Sequence, residues 1–347
     1  MIKPTSLSLL FCLLLLFTAV FAKQVLNAGK PSQRVGHQRP MSDTSSKEEL
    51  LFTNGFEGNP HIIHNARRPG ATITTGYPID DIEGVDKTAG SKSDWVADLD
   101  GNPAAGRFFF EYTGGDSTQR NVNIIPEPGN EKNHVLQFWL ADSWHASEGQ
   151  EKARVQASLY NIKTGFKEFH QSVRVFLNNG FALLKNYPRS ISWCTISEFW
   201  NNEWWVKDEK YGFRVTLGIG KPVATPSDLY FILEAENAGQ KLVWRADPTT
   251  SNIAVPIGKW FTMEYIFKEG NAGTGRFLLA ITPDGGKRQV VYDVHNFTHN
   301  TEDPNPNGLT GYNPMKLYTS KEVIGFIKAQ GQTLQIYWDD WKLWRMK

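Results

Sequence analysis

At 347 residues, with 37 Lys and Arg against 36 Asp and Glu, the chain is long enough to build one large core and is almost electrically neutral. A balance this flat leaves no basic surface for DNA or RNA. Two cysteines exclude a disulfide-rich scaffold, and 12 tryptophans favour a surface that stacks on planar or ring-shaped partners.

Residues 1–22 read as a signal peptide: Lys3, an apolar run from Leu7 to Val20, and small residues closing at Ala22. The run is shorter than the ~20 residues of a membrane helix, and no later stretch reaches that length. The expectation is an exported protein without a membrane span. Cys12 leaves with this segment, so Cys194 is alone and is expected to be a small buried apolar side chain. Residues 23–48 are polar and rich in Gly, Pro, Ser, Gln and Lys, as in a flexible leader. Residues 49–347 are expected to form a single domain.

Within that domain the first strand-like piece is Leu50–Gly58, followed to about Gly106 by Gly-, Pro- and Asp-rich sequence that predicts loops and minor strands. Alternation of period two then dominates. In Lys152–Tyr160, Val155, Ala157 and Leu159 face one way, and Arg154, Gln156 and Ser158 the other. Tyr211–Gly220, Leu229–Glu236 and the Met315–Tyr318 segment alternate in the same manner. Further strands are predicted at His134–Leu140, Phe166–Leu177, Trp260–Lys268, Arg276–Ile281, Gln289–Val294 and Thr333–Trp344, with one short helix at Ser320–Lys328. Asn179-Gly180 and Asp284-Gly285-Gly286 read as turns. The pattern predicts an all-β, two-sheet antiparallel β-sandwich of the jelly-roll kind, with one sheet face open.

The segment Ile191–Trp205 (ISWCTISEFWNNEWW) begins as a strand and ends in a loop dense with indoles and amides. Rings and amides together hold sugars, by stacking on pyranose faces and hydrogen bonding to hydroxyls. Trp200, Trp204 and Trp205 with Asn201 and Asn202 are therefore candidate sugar contacts, and Glu198 is a titratable group beside them.

The pairing of Phe56-Glu57-Gly58 near the start with Tyr337–Trp344 at the close resembles the concanavalin A-like jelly roll, whose first and last strands pair in one sheet. The resemblance implies a structural Ca2+ held by Glu57 with Asp339 or Asp340, and no organic cofactor. Within that superfamily, the order of the middle segments is similar to polysaccharide lyases of the alginate, glucuronan and heparin lyase type. Their Arg-x-Glu strand corresponds to Arg154-Val155-Gln156, with Gln156 where Glu is usual. Their Gln-x-His strand corresponds to Glu198-Phe199-Trp200, which lacks both family residues, and their Lys and Tyr strand to Lys316-Leu317-Tyr318.

The activity implied is removal of the C5 proton of a uronate and expulsion of the O4 leaving group. The carboxylate must be neutralised, a role for Arg154 and Gln156 with Arg214 as a further cation. Tyr318 is the expected base or acid, with Lys316 and a nearby arginine expected to lower its pKa, and His170 and His145 are the other candidate bases. Two other readings remain at this stage: a carbohydrate-binding protein without catalysis, and a glycoside hydrolase using Glu198 with Glu234 or Glu236. All three take a polysaccharide or oligosaccharide as partner and are expected to act as monomers.

Overall fold

Alternating apolar residues can be buried only by stacking one sheet on another, and the chain does this with nineteen strands among the described residues. The computed structural model describes residues 48–65, 79–87, 93–102, 106–146, 149–160, 162, 165–202, 208–247 and 251–346. The predicted signal peptide, nearly all of the leader, and both Trp204 and Trp205 lie outside them.

In chain order the strands open with β1 (Glu48–Asn54), β2 (His61–Ile63), β3 (Ile79–Glu83), β4 (Arg107–Glu111), β5 (Arg120–Glu127) and β6 (Asn130–Leu140). There follow β7 (Trp144–His145), β8 (Glu151–Tyr160), β9 (Glu168–Leu177), β10 (Cys194–Asn201), β11 (Phe213–Gly220), β12 (Tyr230–Asn237) and β13 (Lys241–Ala246). The last are β14 (Trp260–Lys268), β15 (Arg276–Pro283), β16 (Gln289–His295), β17 (Gly311–Asn313), β18 (Lys316–Ser320) and β19 (Leu334–Met346).

One sheet runs β16-β15-β14-β9-β19-β6-β5, with β1 added on β19. The other runs β13-β12-β11-β10-β17-β8-β4-β3-β2. In the second sheet β18 shares the slot of β17, since both lie between β10 and β8. Pro314 falls between the two pieces, where a residue without an N–H cannot continue the ladder.

First and last strands pair as expected: Glu48 faces Met346 and Asn54 faces Trp341. The inner faces meet in one core, in which Val155, Ala157 and Leu159 lie against Phe169, Phe199, Phe213, Val215 and Leu217, all fully buried. Trp95 and Trp341 stack at 5.7 Å near the junction with β1. Cys194 is buried in that core, where desolvation pushes its thiol up to about 12.

The predicted helix is observed at Lys321–Ala329, with the Ser320 hydroxyl capping Val323 N–H. Asn179-Gly180 differs from expectation: it starts a short helical turn, Gly180–Leu183, instead of joining two strands. The loop-rich stretch before Gly106 holds the short strands β2 and β3 and a helical turn at Trp95–Asp100 capped by Asp94.

Candidate functional site

The outer face of the β13-to-β2 sheet gathers most of the expected polar residues. Because β8 buries Val155 and Leu159, the alternate residues Lys152, Arg154, Gln156, Ser158 and Tyr160 point away from the core. Cross-strand pairing continues this face. One row runs Arg107, Tyr160, Gly311, Trp200, Arg214, Glu236. The neighbouring row runs Asn313, Glu198, Thr216, Glu234, Arg245. Further along the strands come Glu111, Gln156 and Lys316, and then Arg154, Tyr318 and Thr195. A bulge between Thr195 and Ser197 keeps Glu198 and Trp200 on this outer face.

At the centre lies an ion-pair network. Lys316 Nζ donates to Glu198 Oε2, and Arg214 Nη1 lies 3.6 Å from Glu198 Oε1. Arg214 also donates to Glu236 Oε2 from Nε at 2.8 Å and from Nη2 at 2.7 Å. Arg154 donates to Glu111. Burial alone would raise the Glu198 carboxyl, but Lys316 and Arg214 hold it below the usual carboxylate range. Burial likewise opposes charge on Arg154, and Glu111 keeps that guanidinium above its ordinary value. Lys316, only 1% exposed, is pulled down to about 8 by burial against the pull of Glu198.

Tyr318 stands over this floor, its ring edge-on to Trp193 at 4.8 Å. Lys316 Nζ, Lys152 Nζ and the Arg154 guanidinium carbon lie 4.9, 5.3 and 5.4 Å from the ring centre. Its phenol corrects an expectation: burial outweighs the opposing pull of Arg154 and Arg214 and pushes it up to about 12. It is therefore a neutral O–H at physiological pH. Lys152 is pulled down to about 8 by burial, with Arg154 and Lys316 adding like-charge repulsion.

The network also redefines several roles. Glu198, Lys316 and Gln156 are at most 3% exposed, so they form the floor of the face, while Arg154, Arg214 and Tyr318 retain partial exposure. Gln156 donates its amide to Ser158 Oγ at 3.0 Å, as Asn313 does at 3.1 Å. Trp200 is on the outer face with the Arg214 guanidinium 5.4 Å from its ring centre, and it too is mostly covered. The carboxylates of the hydrolase reading are all committed: Glu198 to Lys316 and Arg214, Glu236 to Arg214, Glu234 to Arg245.

Other expected residues are elsewhere. His170 lies on the outer face of the opposite sheet, stacked on Trp344 at 4.6 Å between Glu48 and Glu264, because its neighbours Phe169 and Gln171 turn into the core. Asn201 points inward, fully buried, and donates to Glu269 Oε2 at 2.9 Å and Gly308 O at 2.8 Å, so it is a loop anchor and not a sugar contact. Asn202 donates to Asp303 at 3.4 Å. His145, on β7, is exposed and faces Glu151.

The expected Ca2+ ligands are not assembled. Glu57 accepts from His134 N–H at 2.5 Å and faces its imidazole at 3.1 Å. Asp340 is exposed at a positive φ of 47°, and the buried carboxylate is Asp339, bonded to Asn133 at 2.9 Å. Among the described residues no group of three or more His, Cys, Asp or Glu side chains is placed to hold a metal ion.

The structure adds residues that the sequence reading lacked: Glu111, Lys152, Tyr160, Asn313 and Trp193. Lys152 and Tyr160 were within reach of pattern alone, since they continue the Arg154, Gln156, Ser158 alternation. Glu111 carried no such signal. It closes an aromatic run, Phe108–Phe110, and reaches Arg154 only through the pairing of β4 with β8.

No family model and no curated protein matches the chain. Solved structures do, in fold. The endo-β-1,4-glucuronan lyase of the fungus Trichoderma reesei is 16% identical, with 66% of this chain and 88% of that one covered, at a TM-score of 0.41. The alginate lyase of Aplysia kurodai is 12% identical over 64% and 86%, at 0.38. The Ca2+/Man-bound exoplasmic/lumenal domain of VIP36 is 8% identical over 68% and 82%, at 0.34. The likeness to each lies in the two-sheet sandwich.

Proposed function

We propose that the protein is a secreted polysaccharide lyase that cleaves a uronate-containing glycan by β-elimination. The observation that carries this reading is a half-buried, neutral phenol, Tyr318, set among Lys152, Arg154 and Lys316 on one sheet face. β-Elimination needs a proton donor for the departing oxygen, an acceptor for the C5 proton, and positive charge where the carboxylate becomes enolate-like.

Tyr318, held neutral by burial, supplies the donor. Lys152, with a pKa near 8, supplies an amine that is partly unprotonated at neutral pH. In the step, the Lys152 nitrogen takes the C5 proton and the C5–H electron pair forms the C4=C5 double bond. The C4–O4 bond breaks, and O4 takes the proton of Tyr318. Lys152 is left as ammonium beside a phenolate, and return of that proton to Tyr318 resets both groups. Arg154 places positive charge beside the carboxylate, while Glu111 keeps that guanidinium charged and fixed. Glu198, ionised between Lys316 and Arg214, has no proton to give, and this weighs against hydrolysis.

The test is incubation of the full chain with uronate polysaccharides. The expected product is an unsaturated sugar end with new ultraviolet absorbance. New reducing ends without it would mean hydrolysis, and retention on a glycan without product would mean binding alone.

A further inference from the structure

Arg107 opens β4 with its side chain on the candidate face, since Phe108 and Phe110 fill the core. Its Nε and Nη2 atoms are buried with no hydrogen-bond partner among the described residues. These two nitrogens form the edge with which a guanidinium grips a carboxylate side-on. Elsewhere in the protein that edge is used in this way. Arg214 holds Glu236 with it at 2.8 and 2.7 Å, Arg245 holds Glu234 at 2.6 Å from each atom, and Arg276 holds Asp293 at 2.7 and 2.9 Å. A guanidinium cannot shed its charge to escape burial, and leaving its donors dry and unbonded is costly, so the fold gains nothing for itself by holding Arg107 like this. The residue keeps partial exposure, and a modest rotation of its side chain brings the edge to a ligand on the open face.

Arg107 pairs with Tyr160, six residues along β8 from Arg154, or ~20 Å at the rise of an extended strand. The outward residues of β8 over that distance are Gln156, Ser158 and Tyr160: an amide, a hydroxyl and a phenol. Gln156 gives its amide N–H to Ser158, while its Oε1 is buried without a partner, an acceptor suited to a sugar hydroxyl. A line of neutral polar groups with an arginine at each end fits a glycan that carries hydroxyls between spaced carboxylates.

Resting on the lyase reading above, we propose that Arg107 holds the carboxylate of a second uronate, several sugars away from the one neutralised by Arg154, so that the glycan lies along β8. The substrate is then a chain of repeated uronates, and Arg107 is a binding and specificity residue remote from the bond that breaks.

The experiment uses Arg107→Gln and Arg107→Lys in the full chain, with homopolymers of glucuronate and of mannuronate and oligomers cut from them. On the polymer that is cleaved, Arg107→Gln is expected to raise KM by on the order of 10- to 100-fold, the worth of a hydrogen bond to a charged group, with kcat held. Arg107→Lys, which keeps the charge but not the two-point grip, should recover part of that loss. The shortest oligomer cleaved should show no change, because it does not reach Arg107. The urea midpoint of Arg107→Gln should not fall, since the buried nitrogens bond nothing in the protein. An unchanged KM on the polymer, an equal loss on the shortest oligomer, or a lowered midpoint would overturn the proposal while leaving the lyase reading intact. Should neither polymer yield ultraviolet product, the lyase reading fails by itself, and affinity electrophoresis through gels carrying each polymer or its carboxyl-reduced, neutral form tests Arg107. Retardation by a charged polymer that Arg107→Gln weakens, with the neutral form unaffected, supports the proposal. Equal retardation of parent and variant, including none of either, overturns it.

Discussion

Glu111 on β4 is paired in register with Gln156 of β8, yet its carboxylate is bonded to Arg154, two residues along the same face. The diagonal reach restores to Arg154 the carboxylate partner that Gln156, as an amide, does not provide. Both members of the pair are largely buried, with 14% of the Arg154 side chain and 5% of the Glu111 side chain exposed. Removing one partner of such a pair costs about 3–5 kcal/mol, because the other is left charged in a poorly solvated site. Glu111→Ala should therefore lower the urea midpoint markedly, and a Glu111→Leu, Arg154→Met double variant should recover much of the loss.

Tyr318→Phe keeps the ring that packs against Trp193 and removes only the proton donor. Turnover should fall by roughly 10²- to 10⁴-fold, the usual worth of general acid catalysis, with glycan retention preserved. Unchanged kcat in that variant would remove Tyr318 from the mechanism.

The pH profile follows from Lys152 near 8 and Tyr318 near 12. The reactive form has Lys152 unprotonated and Tyr318 protonated. kcat/KM should therefore climb as pH rises through about 8 and hold a plateau on the alkaline side, falling only as the phenol ionises. Stopped assays across that range check the sign; an acidic optimum would contradict it.

On the opposite sheet, burial pushes the Asp339 carboxyl up to about 6, with Asn133 opposing. A carboxyl whose folded pKa is raised favours folding below its unfolded value near 3.8 and loses that contribution as pH rises through about 6. At ~1.4 kcal/mol per pKa unit, Asp339→Asn should stabilise the protein at pH 7 by about 2–3 kcal/mol, with the difference from the parent vanishing at pH ~3. Thermal melts at the two pH values measure it.

His170 lies across the sandwich from Tyr318, so His170→Gln should leave kcat/KM unchanged within error. A large loss would place the chemistry on the other sheet.

How far the chain could be read in advance depended on the range of the interaction. Period-two segments such as Lys152–Tyr160 and Trp260–Lys268 declared their strands, since alternation is local and each inward residue is apolar. The strands β4, β5 and β13 were missed: β4 is a run of three phenylalanines, one of which, Phe109, is buried on the outer face against Tyr160, so alternation disappears. The common face of Arg154, Tyr318, Glu198 and Arg214 was legible because each sits opposite an apolar residue. His170 failed the same reasoning, since alternation says which residues share a face of one strand but not which sheet the strand joins. Asn201 failed because the inward end of β10 accepts a polar anchor where Glu269 and the Gly308 carbonyl wait for it. The phenol of Tyr318 shows the limit in energy: neighbouring charges could be guessed, whereas the larger effect, exclusion of water, belongs to the folded surface.

The antiparallel seam between β1 and β19 places Glu48 directly opposite Met346. Tension drawn through the two ends of this seam loads it perpendicular to its strands, so its hydrogen bonds open one after another like a zip instead of sharing the load. In a single-molecule stretching experiment β1 should peel away first at low force, well before the interior ladders of β9 and β14 yield.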